Sequence, residues 1–191
     1  MPKQRTPQVK FETFGPFILP RLKYQSGAKK GKFKKLIDQT KNCRKSFWQL
    51  VEKEQPGLPK AVGCYLFTLG KVPQYVGKTE KLRFEMETWQ PHKMEHYEAA
   101  LATKKRAKPV LYLIAKRTPA GRFSKASSWG HRDIKFLETL MIGAALRRNA
   151  QLLNRRDTKY LRTIHVPGFM NVGSGRRKDA ASKLSKVFAT D

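Results

Sequence analysis

Apolar residues recur along the chain with two spacings, and each spacing predicts a type of secondary structure. Three segments have apolar residues three and four positions apart, which is the spacing of one face of an α-helix. They are 33–54, 91–106 and 131–148. Three others are short apolar runs bounded by Gly or Pro, which are typical of buried strands. They are 61–69, 74–77 and 109–115, and the turn 70–73 joins the first two into a predicted β-hairpin.

The ends of the chain depart from this regular pattern. Residues 1–32 are broken by Pro and Gly and are predicted to be an extended arm, poorly suited to a core, whose apolar stretch from Phe14 to Leu19 docks elsewhere. Residues 78–80 are expected to open a short helical segment, and 179–188 to form a helix. The predicted fold class is α/β (α+β), a small domain with a short three-stranded antiparallel sheet flanked by helices. The predicted divisions are a basic N-terminal arm and helix (1–59), a core domain (60–156) and a basic C-terminal extension (157–191).

The net charge points to a polyanionic partner. The chain has 41 Lys and Arg against 14 Asp and Glu, a net charge of +27, and residues 1–60 alone carry +11 of it. Excess charge of this size attracts nucleic acid. The basic run Lys29, Lys30 and Lys32 is a candidate phosphate-binding segment of the arm. The charge alone fits equally well a protein that packs RNA or DNA without performing chemistry.

The composition excludes several other classes of protein. The 39% of hydrophobic residues is too many for a wholly disordered polyelectrolyte. No apolar run approaches the roughly 18 residues of a membrane span, so no membrane partner is expected. Cys43 and Cys64 are too few for a disulfide framework or a cysteine zinc site, so we expect packed thiols in a reducing, cytoplasmic compartment.

The predicted hairpin carries one Gly-x-Tyr and one Tyr-x-Gly motif. The first is Gly63-Cys64-Tyr65, and the second is Tyr75-Val76-Gly77, followed by Lys78. Three further polar residues follow in order along the chain: Arg83, Glu138 and Asn154. This ordered set resembles the signature of the GIY-YIG nuclease superfamily, and the resemblance covers about residues 60–156.

The resemblance implies a role for each of these residues. Tyr65 and Tyr75 would orient or activate the attacking water, and Arg83 would hold the scissile phosphate. Glu138 would bind a divalent cation, Mg²⁺ or Mn²⁺, and Asn154 would support the site.

One position departs from the family pattern. Relatives often carry a His or Tyr one helical turn after the Arg, where this chain has Glu87. We assign that role to His96, with His92 and Tyr97 as the available alternatives.

The residues by themselves leave simpler interpretations open. A strand tyrosine is usually a packing residue. Glu138 is the lone acid of the apolar stretch 136–142 in a helix that we expect to be largely buried, where a carboxylate needs a cation or an ion pair with Arg83 or Arg132. Lys78 would either lower the pKa of a tyrosine or touch the phosphate.

The expected function is a metal-dependent endonuclease that hydrolyses DNA, with double-stranded DNA as partner. The single core with basic extensions is most similar to the restriction enzymes of the superfamily, which implies a sequence-specific nuclease and a homodimer or higher homo-oligomer. The alternatives are a repair or mobile-element nuclease, and a non-catalytic nucleic-acid-binding protein on the same scaffold. Residues 1–32 are expected to clasp DNA or a second subunit, and their deletion to leave the core folded.

Overall fold

A four-stranded antiparallel sheet forms the centre of the fold. The structure is a computed structural model and describes residues 9–22, 36–80, 84–104, 106–127, 129–154 and 158–163, together with 180 and 183. The strands are β1 (Lys10–Ile18), β2 (Gly63–Leu69), β3 (Val72–Thr79) and β4 (Pro109–Arg117). Their order in the sheet is β1-β4-β2-β3, so β1 and β3 form its edges.

Helices cover both faces of this sheet. One face carries α1 (Lys41–Glu54), the short α2 (Phe84–Thr88) and α3 (Pro91–Thr103), whose apolar residues form the larger core with Tyr65 and the other residues on that face. The other face carries α4 (Arg132–Arg148), which packs mainly on β3 and also on β2. The short α5 (Thr158–Thr163) contacts α4.

Two buried side chains of α3 fix that helix to its surroundings. The Tyr97 hydroxyl donates to the carbonyl of Thr68 at 2.6 Å and accepts from the amide of Val110 at 3.2 Å. The Glu98 carboxylate accepts from the amides of Leu36 and Ile37 at 2.9 and 2.8 Å. Tyr97, one of the alternatives for the position after the Arg, therefore connects α3 to two strands.

The three-stranded sheet was a wrong prediction, because β1 adds a fourth strand from within the predicted arm. β1 pairs antiparallel with β4, and Phe14, Phe17 and Leu19 are buried in the larger core. Its register shifts between Phe14 and Phe17, where Gly15 and Pro16 lie. Proline is tolerated in an edge strand, where a missing amide hydrogen costs little, so the Pro and Gly that indicated an arm are compatible with a strand.

Two helix boundaries also differ from the prediction. The helix predicted over 33–54 begins only at Lys41, after Thr40, whose hydroxyl accepts from the amide of Cys43 at 3.4 Å. The preceding Ile37 instead forms an isolated β-bridge with Arg21. Residues 78–80 do not open a helix, since β3 continues to Thr79 and α2 begins at Phe84.

The predicted burial of α4 was also wrong in part. Its buried side is formed by Ile134, Ile142 and Ala145, whereas Phe136 and Leu140 are 67% and 55% exposed. The helix packs on one sheet face only, so apolar residues on its outer side have no described partner layer. The strands predicted over 61–69, 74–77 and 109–115 and the helices predicted over 91–106 and 131–148 are confirmed as elements.

Several predicted features lie outside the described residues. These are most of the helix over 179–188, of which Ala180 and Lys183 are helical, and the basic run at 29–32. In the described part of the chain, no helix is both long and apolar enough to cross a membrane.

Candidate functional site

The two tyrosine motifs lie side by side on adjacent antiparallel strands. Tyr65 on β2 is directly opposite Gly77 on β3, so the aromatic ring of one motif covers the glycine of the other. A Cβ at Gly77 would lie 2.2 Å from Tyr65 Cζ, which no side chain can occupy. A Cβ at Gly63 would lie 2.0 Å from the carbonyl oxygen of Ile114 on β4. Both glycines are therefore required by close packing within the sheet.

The two tyrosines themselves meet on the α3 face of the sheet. Their ring centroids are 6.1 Å apart, and their hydroxyls are hydrogen-bonded to each other. Tyr65 is fully buried, whereas Tyr75 is only partly buried. The Tyr75 hydroxyl is thus the outer end of the pair.

A lysine that the sequence analysis did not single out holds the inner tyrosine. Lys93 Nζ, on α3, donates to the Tyr65 hydroxyl at 2.7 Å. The same ammonium contacts the carboxylate and the main-chain carbonyl of Glu87, each at 3.0 Å. The Lys93 side chain is only 10% exposed, so water screens these contacts weakly. Glu87 thus contacts Tyr65 through this lysine and also directly, since the Tyr65 hydroxyl donates to the main-chain carbonyl of Glu87 at 3.4 Å.

The environment of Tyr65 keeps its phenol protonated. Burial raises the pKa of Tyr65 well above its ordinary value of about 10, and the nearby Tyr75, Glu87 and Glu138 raise it further. With Lys93 donating to its oxygen, the Tyr65 hydroxyl directs its own proton to another acceptor, and both the Glu87 main-chain carbonyl, at 3.4 Å, and the Tyr75 hydroxyl are hydrogen-bonded to it. The arrangement includes a hydrogen-bonded row that runs from Lys93 through Tyr65 to the partly buried Tyr75.

Asn154 supports the strand that carries the second motif. Its side-chain oxygen accepts from the amide of Val76 at 2.9 Å, and its side-chain nitrogen donates to the carbonyl of Val76 at 2.7 Å. Asn154 is buried, and Val76 is the central residue of Tyr75-Val76-Gly77. The amide side chain therefore acts as a short extra strand against the outer edge of β3.

Glu138 lies on α4, which packs against the strands of both motifs. It is half-buried, and its negative charge contributes to raising the pKa of both Tyr65 and Cys64. The described residues contain no group of three or more His, Cys, Asp or Glu side chains arranged to hold a metal ion. Mg²⁺ is often held by one or two carboxylates with the remaining ligands from water and substrate phosphate. A single carboxylate such as that of Glu138 fits only that weaker kind of site.

Lys78 lies on the other face of the sheet from Tyr65. It is directly opposite Cys64, and its charge lowers the pKa of that thiol, which burial raises overall. Its ammonium forms an ion pair with Glu80. Although burial alone would raise the pKa of Glu80, this pairing holds it below the usual value. The cation in contact with the Tyr65 hydroxyl is therefore Lys93 rather than Lys78.

Of the remaining predicted residues, one lies beside Asn154 and the others fall outside the described residues. His96 is exposed on α3 and lines an open pocket of ≈ 420 Å³ with Asn154 and Arg162. Arg83, Lys29, Lys30 and Lys32 fall outside the described residues. Their assigned roles stay predictions.

The contact between Lys93 and Tyr65 had a weak signal in the sequence. Lys93 is four residues before Tyr97 and one before Met94, so it lies on the helix side that carries the apolar stripe. A lysine at the edge of a buried stripe usually extends to solvent. The Lys93 side chain reaches a tyrosine hydroxyl instead because β2 lies beneath α3.

The fold and site define a mixed α/β protein with a tyrosine–lysine cluster on one face of an antiparallel sheet. Comparisons with models of known protein families, with curated proteins and with solved structures found no match for this chain.

Proposed function

We propose that this protein is a metal-dependent endonuclease of GIY-YIG type that hydrolyses phosphodiester bonds of DNA. The observation that carries the proposal is that the two motif tyrosines meet, with ring centroids 6.1 Å apart, beside a lysine whose side chain is only 10% exposed. A basic chain with a net charge of +27 supplies the attraction to a phosphate backbone.

In this proposal the hydrogen-bonded row activates the attacking water. Tyr75, as the outer member, takes a proton from the water and passes its own proton inward to Tyr65, which accepts it in the phenolate form. Lys93 stabilises that phenolate before the transfer, because it donates to the Tyr65 oxygen at 2.7 Å. Arg83, from its place in the motif, would hold the phosphate.

Glu138 is the residue that would hold Mg²⁺ or Mn²⁺. The cation would supply positive charge to the phosphoryl and leaving oxygens.

The burial of Tyr65 is also the observation that favours the alternative. A fully buried tyrosine is what a non-catalytic nucleic-acid-binding protein on this scaffold would retain for packing. Incubation of the protein with plasmid DNA and Mg²⁺ separates the two functions. Discrete fragments indicate a sequence-specific, restriction-type nuclease, a smear indicates a nonspecific one, and shifted but intact DNA indicates a binding protein.

Glu138→Gln is the variant that tests the assignment of the site. Gln keeps the shape of the side chain but removes the anionic ligand, so DNA affinity should persist while cleavage falls by orders of magnitude. Glu95→Gln, an exposed position on α3, makes the same change of charge and should cleave as the wild type does. Wild-type cleavage by Glu138→Gln would show that the carboxylate is structural.

A further inference from the structure

Trp129 is held in full contact with solvent. It is 94% exposed, whereas the other two tryptophans, Trp48 and Trp89, are each 4% exposed. A tryptophan usually buries most of a large apolar surface of roughly 150–250 Å², so full exposure gives up a large favourable contribution to folding. An exposed indole is thus a candidate contact for a ligand, since Trp is enriched at binding interfaces.

The main chain at Trp129 and Gly130 is hydrogen-bonded to Ser127. The Trp129 amide donates to the Ser127 hydroxyl at 3.3 Å, and the Gly130 amide donates to the Ser127 carbonyl at 3.1 Å. Gly130 has a φ of 70°, in the left-handed region, which glycine adopts without strain. The turn immediately precedes α4, the helix that carries Glu138.

The same turn is attached to the end of the motif strand β3. Glu80 directly follows β3, and its carboxylate accepts a hydrogen bond from the backbone of His131. A Cβ at Gly130 would lie 2.8 Å from Glu80 Oε2, so the turn and the carboxylate are in close contact. Trp129 therefore lies near the point where the chain leaves the second motif and continues toward Arg83.

The charges around this turn are complementary to phosphate. Lys125 and Arg132 are exposed on either side of Trp129 in the sequence. The nearby Asp133 is paired with Lys116 at 2.7 Å, and Glu80 is paired with Lys78, so the two acids next to the turn are neutralised. An aromatic side chain between cations is the arrangement by which proteins stack bases of single-stranded nucleic acid while binding its backbone.

We propose that Trp129 stacks on an unpaired base of the nucleic-acid substrate, with Lys125 and Arg132 on the neighbouring phosphates. This inference deepens the proposed function and rests on it, because it takes a nucleic acid as the ligand of this face. It adds that the substrate presents an unstacked base beside the site rather than a fully paired duplex.

Intrinsic fluorescence tests the contact without any cleavage. Trp129 is the one exposed tryptophan of the three, so the red-shifted, iodide-quenchable emission belongs to it. In EDTA, a single-stranded oligonucleotide of about 12 nucleotides should quench this emission at saturation and protect it from iodide, and the matched duplex should do so much less. Trp129→Phe should lack the signal.

Affinity measured by anisotropy of a labelled oligonucleotide gives the second readout. Trp129→Ala should weaken single-strand binding about 5- to 150-fold, the range for one stacked base, and Trp129→Phe should weaken it less. Leu50→Ala, which removes an exposed apolar side chain from α1 on the opposite face, should bind as the wild type does. Lys125→Gln should reduce the salt dependence by about 0.7 in log–log slope and leave the quenching intact.

Three results would overturn the stacking contact. The first is oligonucleotide binding with unchanged Trp129 emission, and the second is a Trp129→Ala affinity equal to that of Leu50→Ala. The third is shielding of Trp129 by protein concentration alone, which would make a second copy of the chain its partner. Cleavage of DNA without any Trp129 response would reject this inference and leave the proposed nuclease intact, whereas Trp129 quenching without cleavage under any divalent cation would reject the nuclease and leave the contact.

Discussion

Replacing Lys93 by Met should lower the rate of DNA cleavage about 10- to 100-fold while DNA binding persists. The ammonium lies 2.7 Å from the Tyr65 oxygen in a largely buried setting. A hydrogen bond to a charged group is worth about 1.5–3 kcal/mol, and one pKa unit corresponds to about 1.4 kcal/mol. Loss of the ammonium should therefore raise the pKa of Tyr65 further, and lower its phenolate fraction about 10- to 100-fold.

The assay is the single-turnover cleavage rate of plasmid DNA between about pH 6.5 and 9.5. Because the pKa of Tyr65 lies well above 10, the wild-type rate should rise tenfold per pH unit over this range. In a plot of the logarithm of the rate against pH, Lys93→Met should give a line parallel to that of the wild type but lower. The line of Lys93→Arg should lie close to that of the wild type. Lys104→Met, at the exposed end of α3, is the matched control and should change nothing.

A second variant separates the effect of losing the ammonium from the effect of leaving the Glu87 carboxylate without its ion-pair partner. Glu87→Gln combined with Lys93→Met removes both partners of the ion pair, so stability should recover while much of the deficit in rate remains. Full recovery of the wild-type rate in the double variant would refute the reasoning. So would a Lys93→Met enzyme whose defect lies only in the KM for DNA.

Three further predictions concern the tyrosine pair and its support. Gly77→Ala should lower both the melting temperature and the cleavage rate, because the new methyl group displaces the Tyr65 ring. Gly143→Ala is the control and should lower neither, because the space around Gly143 is open. Equal melting temperatures and equal cleavage rates of the two variants would contradict this packing. Asn154→Ala should lower the free energy of unfolding in urea by about 1–3 kcal/mol through loss of both hydrogen bonds to Val76, and an unchanged midpoint would remove its supporting role. Because folding raises the pKa of Tyr65, its protonated phenol contributes fully to the free energy of unfolding below about pH 10, and this contribution declines above pH 10 by up to about 1.4 kcal/mol per pH unit. Tyr65→Phe should therefore flatten the plot of unfolding free energy in urea against pH between about pH 10 and 11.5. Parallel plots for the variant and the wild type would count against the raised pKa.

Local sequence patterns were sufficient to predict the strands and helices that carry the candidate site. The hairpin of β2 and β3 follows from two apolar runs and a short turn, and its register places Tyr65 against Gly77 without any distant contact. α3 and α4 follow from their helical spacing. These features are local because strand pairing across a tight turn fixes which residues are opposite.

Contacts between distant segments were not predictable in this way. β1 was missed because its pairing with β4 spans about a hundred residues and its Pro16 is typical of an arm. Lys93 was missed because the target of its ammonium, 28 residues earlier, depends on how α3 lies on the sheet. In both cases the deciding interaction is tertiary, and neither residue spacing nor composition contains it.

One segment of this fold both supports the candidate site and covers an edge of the sheet. β3 is an edge strand, and an uncovered edge offers its backbone groups to other chains. The segment after α4 covers that edge by hydrogen bonds. The Asn149 side chain donates to the carbonyl of Pro73, the Leu153 amide donates to the carbonyl of Gln74, and the Asn154 side chain both donates to and accepts from Val76. These bonds hold the backbone on both sides of Tyr75, and the helix that positions the segment also carries Glu138. A change in α4 that moved this segment would therefore release the outer tyrosine and displace the carboxylate together, so substitutions at Asn154 should affect cleavage more than their loss of stability alone explains.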